Sequence, residues 1–319
     1  MTDKDTCTTD KGTTDTCTTD KEQYIIKKRL NIKHLVLSGG GPSLMQTLGA
    51  IQELDDVIDL NAIQSIYGTS AGAILGVMLC LRFDWATLND YILLRPWHEA
   101  FPVKLHNILD AYSKRGMFDR NAIVKCLKPL FSAKDVSLDI TLEDFYKLNQ
   151  VELHMFAFDV NGYKLDDLSH ITCPDMLLVD ALHATSAIPI LFCPVFIGEK
   201  CYVDGGITTN YPLGPCLASG KLEDEVLGFK NEYDDVGYLI TTESTLVEYM
   251  LNFFLNIIRH MGVSHLQPTI KYEVVSKAQC MNLNVINLAI SSVEERKRLF
   301  DLGRENGKQF CASNIVDGR

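Results

Sequence analysis

The chain has 319 residues and a formal net charge of −11, with 46% hydrophobic and 22% charged residues. This composition is ordinary for a globular protein, and the length allows one large α/β domain or two smaller ones. The negative charge argues against nucleic acid as a partner, because phosphate binding needs clustered Lys and Arg, and it disfavours electrostatic capture by an anionic membrane. No apolar run reaches the roughly 18 residues of a transmembrane segment, and the N-terminus is too polar for a signal peptide.

The ten cysteines are scattered, with neither a Cys-x-x-Cys pair nor a cluster of Cys and His at zinc-binding spacing. The sequence therefore predicts no metal site and no cofactor. Several cysteines stand in apolar surroundings, as small core residues do. This use of cysteine indicates a reducing compartment, the cytoplasm, and leaves peripheral contact with a membrane open.

Residues 1–24 form a low-complexity segment in which the sequence DTCTTDK occurs at 5–11 and again at 15–21. The segment has almost no apolar residues with which to join a core, so we expect a disordered tail. A metal-binding or partner-binding role for Cys7 and Cys17 is the alternative.

The rest of the chain, 25–319, is predicted to form one domain. From residue 32 the pattern reads strand, glycine loop, helix, strand and buried helix, which is typical of a mainly parallel sheet covered on both faces. A more polar helical region follows, and strands return at VELHMFAFDV (151–160) and in a hairpin at PVFIGEKCYVDGG (194–206). The motif-bearing part covers 32–215, and 216–319 is expected to be helical.

The segment IYGTSAGAIL contains the pattern G-x-S-x-G, with Ser70 between Gly68 and Gly72. The pattern alone is common, but here an apolar strand precedes it and a buried helix follows. This context is that of a nucleophile elbow, in which a sharp turn exposes a serine hydroxyl for attack. The helix N-terminus behind Ser70 also favours negative charge. A plain turn between strand and helix is the alternative.

Three consecutive glycines, Gly39, Gly40 and Gly41, follow the first strand in the segment LVLSGGGPSLMQ. Such a loop can present backbone N–H groups to the oxyanion of a tetrahedral intermediate with no side chain in the way. A phosphate-binding or dinucleotide-binding loop is the weaker alternative, because neither G-x-G-x-x-G nor a Walker-type Gly-Lys-Ser/Thr is present.

A third motif, VDGGITTNYP, places Asp204 after a strand and before Gly205 and Gly206. An aspartate before glycine is most often a turn residue. A carboxylate held near a serine hydroxyl can instead act as its general base, so Asp204 is the candidate base for Ser70.

Together these motifs resemble the patatin-like phospholipase family. The resemblance rests on SGGGPS, GTSAG, ATSAIPI (184–190) and DGGITTNYP, in that order along the chain. It implies a three-layer α/β/α sandwich and a lipid acyl hydrolase with a Ser–Asp catalytic dyad that needs neither histidine nor metal. Carried onto this chain, Ser70 is the nucleophile, Asp204 is the base, and Gly39 to Gly41 form the oxyanion hole. The expected partner is a lipid substrate, met at a membrane surface.

The chain departs from this family at one place. The family usually has Arg or Lys shortly after the glycines, whereas this chain has Pro42 and Ser43. Without this basic residue, recognition of an anionic group near the site is expected to be weaker, so both phospholipids and neutral esters remain as substrate classes. An acyltransferase, a neutral-lipid esterase and a catalytically silent lipid-binding protein on the same fold are the alternatives.

Two other features have open interpretations. His260 or His265 could complete a Ser…Asp…His triad, although a histidine at a helix end is most often a cap or a surface residue. The apolar segment 246–258 could line an acyl-chain channel, meet a membrane surface, or simply pack in the core as a helix.

Overall fold

We describe a computed structural model of the chain that covers residues 29–102, 112–233, 239–263 and 268–315, with side chains left aside for 257–263. The predicted disordered tail, including Cys7 and Cys17, lies outside the described residues. Ten strands and ten helices are named within this part of the chain.

An eight-stranded sheet organises the fold, in the order β10-β9-β1-β2-β4-β8-β7, with β5 pairing to β4. Five neighbouring strands, β10 to β4, run parallel, whereas β5 and β8 are antiparallel to β4, and β7 is antiparallel to β8. β3 and β6 form a separate parallel pair. The strands are β1 His34–Leu37, β2 Ser65–Thr69, β3 Gly116–Phe118, β4 Glu152–Asp159, β5 Lys164–Leu168, β6 Ile190–Phe192, β7 Val195–Ile197, β8 Lys200–Asp204, β9 Val226–Tyr233 and β10 Tyr272–Ala278.

Helices cover both faces of this sheet. On β1, Leu35 and Leu37 join the main core, while Val36 between them packs in a second cluster with Leu213 and Cys216. This alternation confirms the predicted three-layer α/β/α arrangement. The helices are α1 Leu44–Glu53, α2 Ala71–Cys80, α3 Trp85–Asn89, α4 Arg120–Ala133, α5 Leu142–Asn149, α6 Leu178–Thr185, α7 Leu213–Ala218, α8 Leu246–Val263, α9 Leu283–Ser291 and α10 Val293–Asn314.

The segment beyond residue 215 differs from the expectation of a helical region. It supplies β9 and β10, and β9 pairs directly with β1. The last residues of β9 are polar, and in β10 buried and exposed positions alternate, so neither strand reads as the continuous apolar run of a buried parallel strand. The segment is thus part of the central sheet.

The first and last helices approach each other so closely that only glycine fits between them. A Cβ atom at Gly49 would collide with the carbonyl oxygen of Phe300, and one at Gly303 would collide with the carbonyl oxygen of Gln46. Since α1 begins directly after the glycine loop, its contact with α10 fixes the position of that loop from behind.

A fully buried arginine joins α9 and α10 to the segment after α3. The Arg296 guanidinium donates hydrogen bonds to the carbonyl oxygens of Leu93 (2.8 Å), Ala289 (2.8 Å), Ile290 (3.1 Å) and Arg95 (3.1 Å). These carbonyls lie where helical segments end and have no helical partner, so the arginine satisfies groups that would otherwise be buried without a hydrogen bond.

We predict that Gly303→Ala lowers the free energy of unfolding by about 2 kcal/mol, because the added methyl group forces α10 away from α1. Gly214→Ala in α7 is the matched control, since a Cβ atom there meets nothing within 4 Å. Thermal unfolding of both variants checks this expectation. A Gly303→Ala protein as stable as Gly214→Ala would show that the two helices tolerate separation.

Candidate active site

Ser70 occupies the sharp turn between β2 and α2. Its backbone has φ 54° and ψ −124°, a conformation that side-chain-bearing residues rarely adopt and that is associated with functional sites. The Ser70 N–H donates to the Thr185 hydroxyl (3.0 Å), which in turn donates to the Phe156 carbonyl oxygen (2.5 Å). The strained turn is therefore tied to α6 and to β4.

Gly68 and Gly72 let the backbone close tightly around this turn. A Cβ atom at Gly68 would lie 2.7 Å from the Ala73 nitrogen, and one at Gly72 would collide with the Leu37 carbonyl oxygen at the end of β1. Side chains at either position would push α2 away from the strands. The spacing of glycines in G-x-S-x-G thus has a steric reason in this chain.

The sheet register brings Asp204 to Ser70. On β4, Phe156 lies opposite Thr69 and the next residue, Ala157, lies opposite Asp204. The end of β2 and the end of β8 are thereby placed at adjacent positions of one strand. Two residues that are far apart in the chain become neighbours by strand pairing alone.

The Asp204 carboxyl is buried, with 3% of its surface exposed. Oδ1 accepts a hydrogen bond from the Gly206 N–H at 2.7 Å. Oδ2 forms no well-aligned hydrogen bond with a described residue, but the Ser70 hydroxyl approaches the carboxyl as a donor and favours its charged form. Hydrogen bonds between catalytic groups are often long before substrate binds.

Burial raises the pKa of Asp204 to about 6, while the hydrogen bonds from Ser70 and Gly206 act in the opposite direction. No charged side chain of the described residues contributes to this shift. A carboxyl with this pKa is mostly ionised at pH 7 and is a much better proton acceptor than an exposed aspartate.

The turn after Asp204 is also closely packed. A Cβ atom at Gly205 would collide with the Phe156 carbonyl oxygen, and one at Gly206 would lie 2.9 Å from Asp204 Oδ1. Glycine at both positions lets the Gly206 N–H reach the carboxyl and keeps other side chains away from it.

The glycine loop differs in one respect from the expectation that Gly39, Gly40 and Gly41 all supply oxyanion donors. The Gly39 N–H already donates to the Asn210 carbonyl oxygen at 2.9 Å. The Gly39 carbonyl accepts from the side chains of Asn231 (2.9 Å), Asn210 (3.1 Å) and Tyr233 (3.2 Å). Gly39 is therefore an anchor of the loop rather than a free donor.

Gly40 and Gly41 remain as candidate donors. Within the part of the chain that the structure describes, neither N–H group has an acceptor. Their φ angles of +150° and +53° belong to the region that favours glycine. A Cβ atom at Gly39 would lie 3.2 Å from Ser70 Cβ, so the loop packs directly on the candidate nucleophile.

Four residues of this arrangement were absent from the predicted site. Thr185 and Asn210 lie inside the quoted motifs ATSAIPI and DGGITTNYP, where their polar side chains were the available signal. Asn231 and Tyr233 lie on β9, outside every motif, and only the pairing of β9 with β1 brings them to the glycine loop.

A histidine in the site finds no support among the described side chains. The side chains of His260 and His265 lie outside the described residues. His34 contacts Ser65, His154 contacts Asp167, His170 stacks on Tyr146, and His183 packs near Phe192. None of these four affects the pKa of Asp204.

Among the described residues, no three side chains of His, Cys, Asp or Glu are grouped as metal ligands. In the same part of the chain, no helix combines the length and the apolar character needed to cross a bilayer.

A cavity of about 310 Å³ lies at the opposite end of α2 from Ser70, lined by residues that include Leu35, Met78 and Trp85. It is separate from the Ser70 site.

The sequence model of the family described as patatin-like phospholipase matches residues 35–217. A relative from Invertebrate iridescent virus 6, "Probable lipid hydrolase 463L", is 29% identical over 183 residues, which are 57% of this chain and 62% of that protein. The aligned part of the chain thus spans less than two thirds of that relative. "Uncharacterized protein R571" of Acanthamoeba polyphaga mimivirus is 25% identical over 290 residues, 87% of this chain and 93% of the relative.

Among solved structures, VipD from Legionella pneumophila matches with a TM-score of 0.55 at 17% sequence identity. The match covers 90% of this chain and 71% of VipD. At this identity the likeness concerns the fold, and it extends well beyond residue 217 into the segment that supplies β9 and β10.

We predict that Tyr233→Phe lowers kcat for an acyl ester by about tenfold with little change in KM. The Gly39 carbonyl loses one hydrogen-bond donor, so the glycine loop is held less firmly. The tenfold loss corresponds to about 1.4 kcal/mol in activation free energy. Tyr211→Phe is the matched control, since its hydroxyl donates to Glu273 and does not touch the loop. Steady-state kinetics of both variants are the measurement. Equal effects of the two substitutions would mean that Tyr233 has only a structural role.

Proposed function

Since the chain belongs to the patatin-like phospholipase family, we propose that it hydrolyses fatty-acyl esters of lipids, with Ser70 as nucleophile and Asp204 as general base. The observation that carries this proposal is the pairing of a strained, buried serine with a buried carboxyl whose Oδ2 has no other described partner. The naming of the iridescent-virus relative as a probable lipid hydrolase supports the same substrate class.

In the proposed reaction, Asp204 Oδ2 accepts the Ser70 hydroxyl proton while Oγ attacks the ester carbonyl carbon. The Gly40 and Gly41 N–H groups and the N-terminus of α2 stabilise the resulting oxyanion. Collapse of the tetrahedral intermediate expels the alcohol, which takes the proton from Asp204. Asp204 then deprotonates a water molecule that attacks the acyl-enzyme, and the fatty acid leaves as Ser70 regains its proton.

One observation supports a neutral ester as the alternative substrate. Pro42 and Ser43 stand where the family usually has a basic residue, and no described cation affects the buried carboxyl. The Ser43 hydroxyl accepts a hydrogen bond from Asn231 at 2.7 Å and so belongs to the loop anchor. A neutral-lipid esterase is therefore the second candidate, and profiling of the fatty acids and head groups released from mixed lipids separates the two.

A reducing compartment is part of the proposal. Six cysteines of the described ranges are free thiols: Cys80, Cys126, Cys173, Cys193, Cys201 and Cys216. Burial raises the pKa of the Cys80 and Cys126 thiols to about 12, so these two are core side chains with no tendency to react as thiolates.

Ser70→Ala should abolish turnover of a p-nitrophenyl acyl ester and labelling by a fluorophosphonate, because the attacking oxygen is removed. Ser65→Ala is the matched control: Ser65 is buried at the start of β2, the strand that leads to Ser70, but its hydroxyl contacts His34 rather than Asp204. We expect Ser65→Ala to keep turnover within a few-fold of the wild-type protein. Persistent turnover in Ser70→Ala would exclude Ser70 as nucleophile, and an unlabelled, inactive wild-type protein would favour a silent lipid-binding protein.

The pH dependence tests Asp204 as the base. Because burial raises the pKa of Asp204 to about 6, kcat/KM should fall as the pH drops through about 6, where the protonated carboxyl can no longer accept the serine proton. A histidine titrates in the same range, so the profile is measured at two temperatures. The pKa of a carboxyl changes little with temperature, whereas that of an imidazole falls on warming. An acid limb that moves on warming and disappears in His260→Ala or His265→Ala would replace the dyad by a triad.

A further inference from the structure

The helix α8 is apolar on two opposite sides, and only one of them is buried. Leu251 is fully buried in a cluster with Ile188 and Leu191, and Asn252 beside it is buried as well. Through this side, α8 packs against the Gly205–Ile207 turn and against β6. The turn directly follows Asp204, so the buried side of α8 covers one flank of the site.

The opposite side of α8 carries large apolar side chains in solvent. They recur at intervals of three and four residues, which places them on one side of a helix with 3.6 residues per turn. We call this surface the apolar stripe, and its members are Leu246 (75% exposed), Tyr249 (43%), Met250 (44%) and Phe253 (48%).

The apolar stripe contains no charged residue. Glu248, which lies within the same stretch of helix, projects from the other side and accepts hydrogen bonds from the Thr245 N–H (2.8 Å) and hydroxyl (2.9 Å). An exposed helix side of this kind normally marks an interaction surface. Its aromatic members, Tyr249 and Phe253, stack on each other with ring centroids 6.1 Å apart.

We propose that the apolar stripe of α8 docks the protein on a bilayer of zwitterionic phospholipid, which has no net charge, and so brings the Ser70 site to its substrate. This inference rests on the proposed function, because a lipid hydrolase must meet its substrate in a membrane or droplet. The buried side of α8 packs on the turn after Asp204, so a surface that holds the stripe lies one helix diameter, about 10 Å, from that turn. Aromatic and long apolar side chains suit the boundary between lipid tails and water.

The charge of the chain decides which surface fits. A net charge of −11 repels anionic lipid, and it equally disfavours a second copy of the same chain. Docking then depends on apolar contact, which salt does not screen. The stripe is therefore expected to bind phosphatidylcholine at least as well as phosphatidylserine, with little change between low and high salt.

The test uses vesicle binding and soluble-ester turnover side by side. Binding is measured by co-flotation with phosphatidylcholine vesicles, with Ser70→Ala as background so that the vesicles are not consumed. Phe253→Gln should lower the partition coefficient about tenfold, or about 1.4 kcal/mol, because a half-exposed side chain loses its contact with lipid, and Met250→Gln/Phe253→Gln should lower it further. Leu148→Gln is the matched control, because Leu148 is a comparably exposed leucine (58%) on the separate helix α5. When the same substitutions are made in the protein that retains Ser70, turnover of a soluble ester should stay at the wild-type level.

The two proposals fail in different ways. Vesicle binding that Phe253→Gln leaves unchanged, or that requires phosphatidylserine and vanishes at high salt, overturns the docking proposal. So does a dimer, seen by light scattering, that Phe253→Gln dissociates while the wild-type protein ignores vesicles. A wild-type protein that binds vesicles through Phe253 but turns over no ester supports docking and overturns the hydrolase proposal instead.

Discussion

The left-handed backbone of Ser70 is the constraint around which the rest of the site is arranged. Such a conformation costs on the order of 1–3 kcal/mol for a residue with a side chain, and it persists only where the surroundings enforce it. Here the enforcement is steric: α2 lies against the end of β1 through Gly72, and β2 lies against α2 through Gly68. The hydrogen bond from Ser70 to Thr185 adds a tie to α6. The close packing of β1, β2 and α2 therefore enforces the strained backbone of Ser70 at the junction between strand and helix.

The second cost of the site is electrostatic. The rise in the pKa of Asp204 from 3.8 to about 6 corresponds to about 3 kcal/mol at a pH above 6, because the folded protein disfavours the charged carboxyl. Below pH 3.8 the carboxyl is protonated in the folded and the unfolded protein, and the folded protein bears no such penalty. The penalty grows as the pH rises from 3.8 and is complete above about 6, where both states are ionised. The fold thus gives up stability at neutral pH, and the buried carboxyl is a stronger base than an exposed aspartate.

The local parts of the site were predictable from the sequence, and the non-local parts were not. The strand-turn-helix around Ser70, the glycine loop and the hairpin ending at Asp204 all have short-range signals, and the structure has each of them. The use of the Gly39 N–H by Asn210 was not predictable, because it depends on which segment lies beside the loop. Asn231 and Tyr233 were missed for the same reason, since strand pairing over some 190 residues leaves no local pattern. For α8, the apolar segment 246–258 predicted a helix but could not show which side is covered.

The position of β1 between β2 and β9 has a consequence for how the domain can be cut. The family match ends at residue 217, before β9 begins. A fragment that stopped there would leave the backbone of the fully buried, apolar strand HLVL without a partner along one side. Such an open edge is a template for aggregation. It would also separate the glycine loop from two of its three anchoring side chains and α1 from α10. The part beyond the recognised motifs, up to α10 at Asn314, is therefore integral to the packed sheet and its helices rather than an appendage.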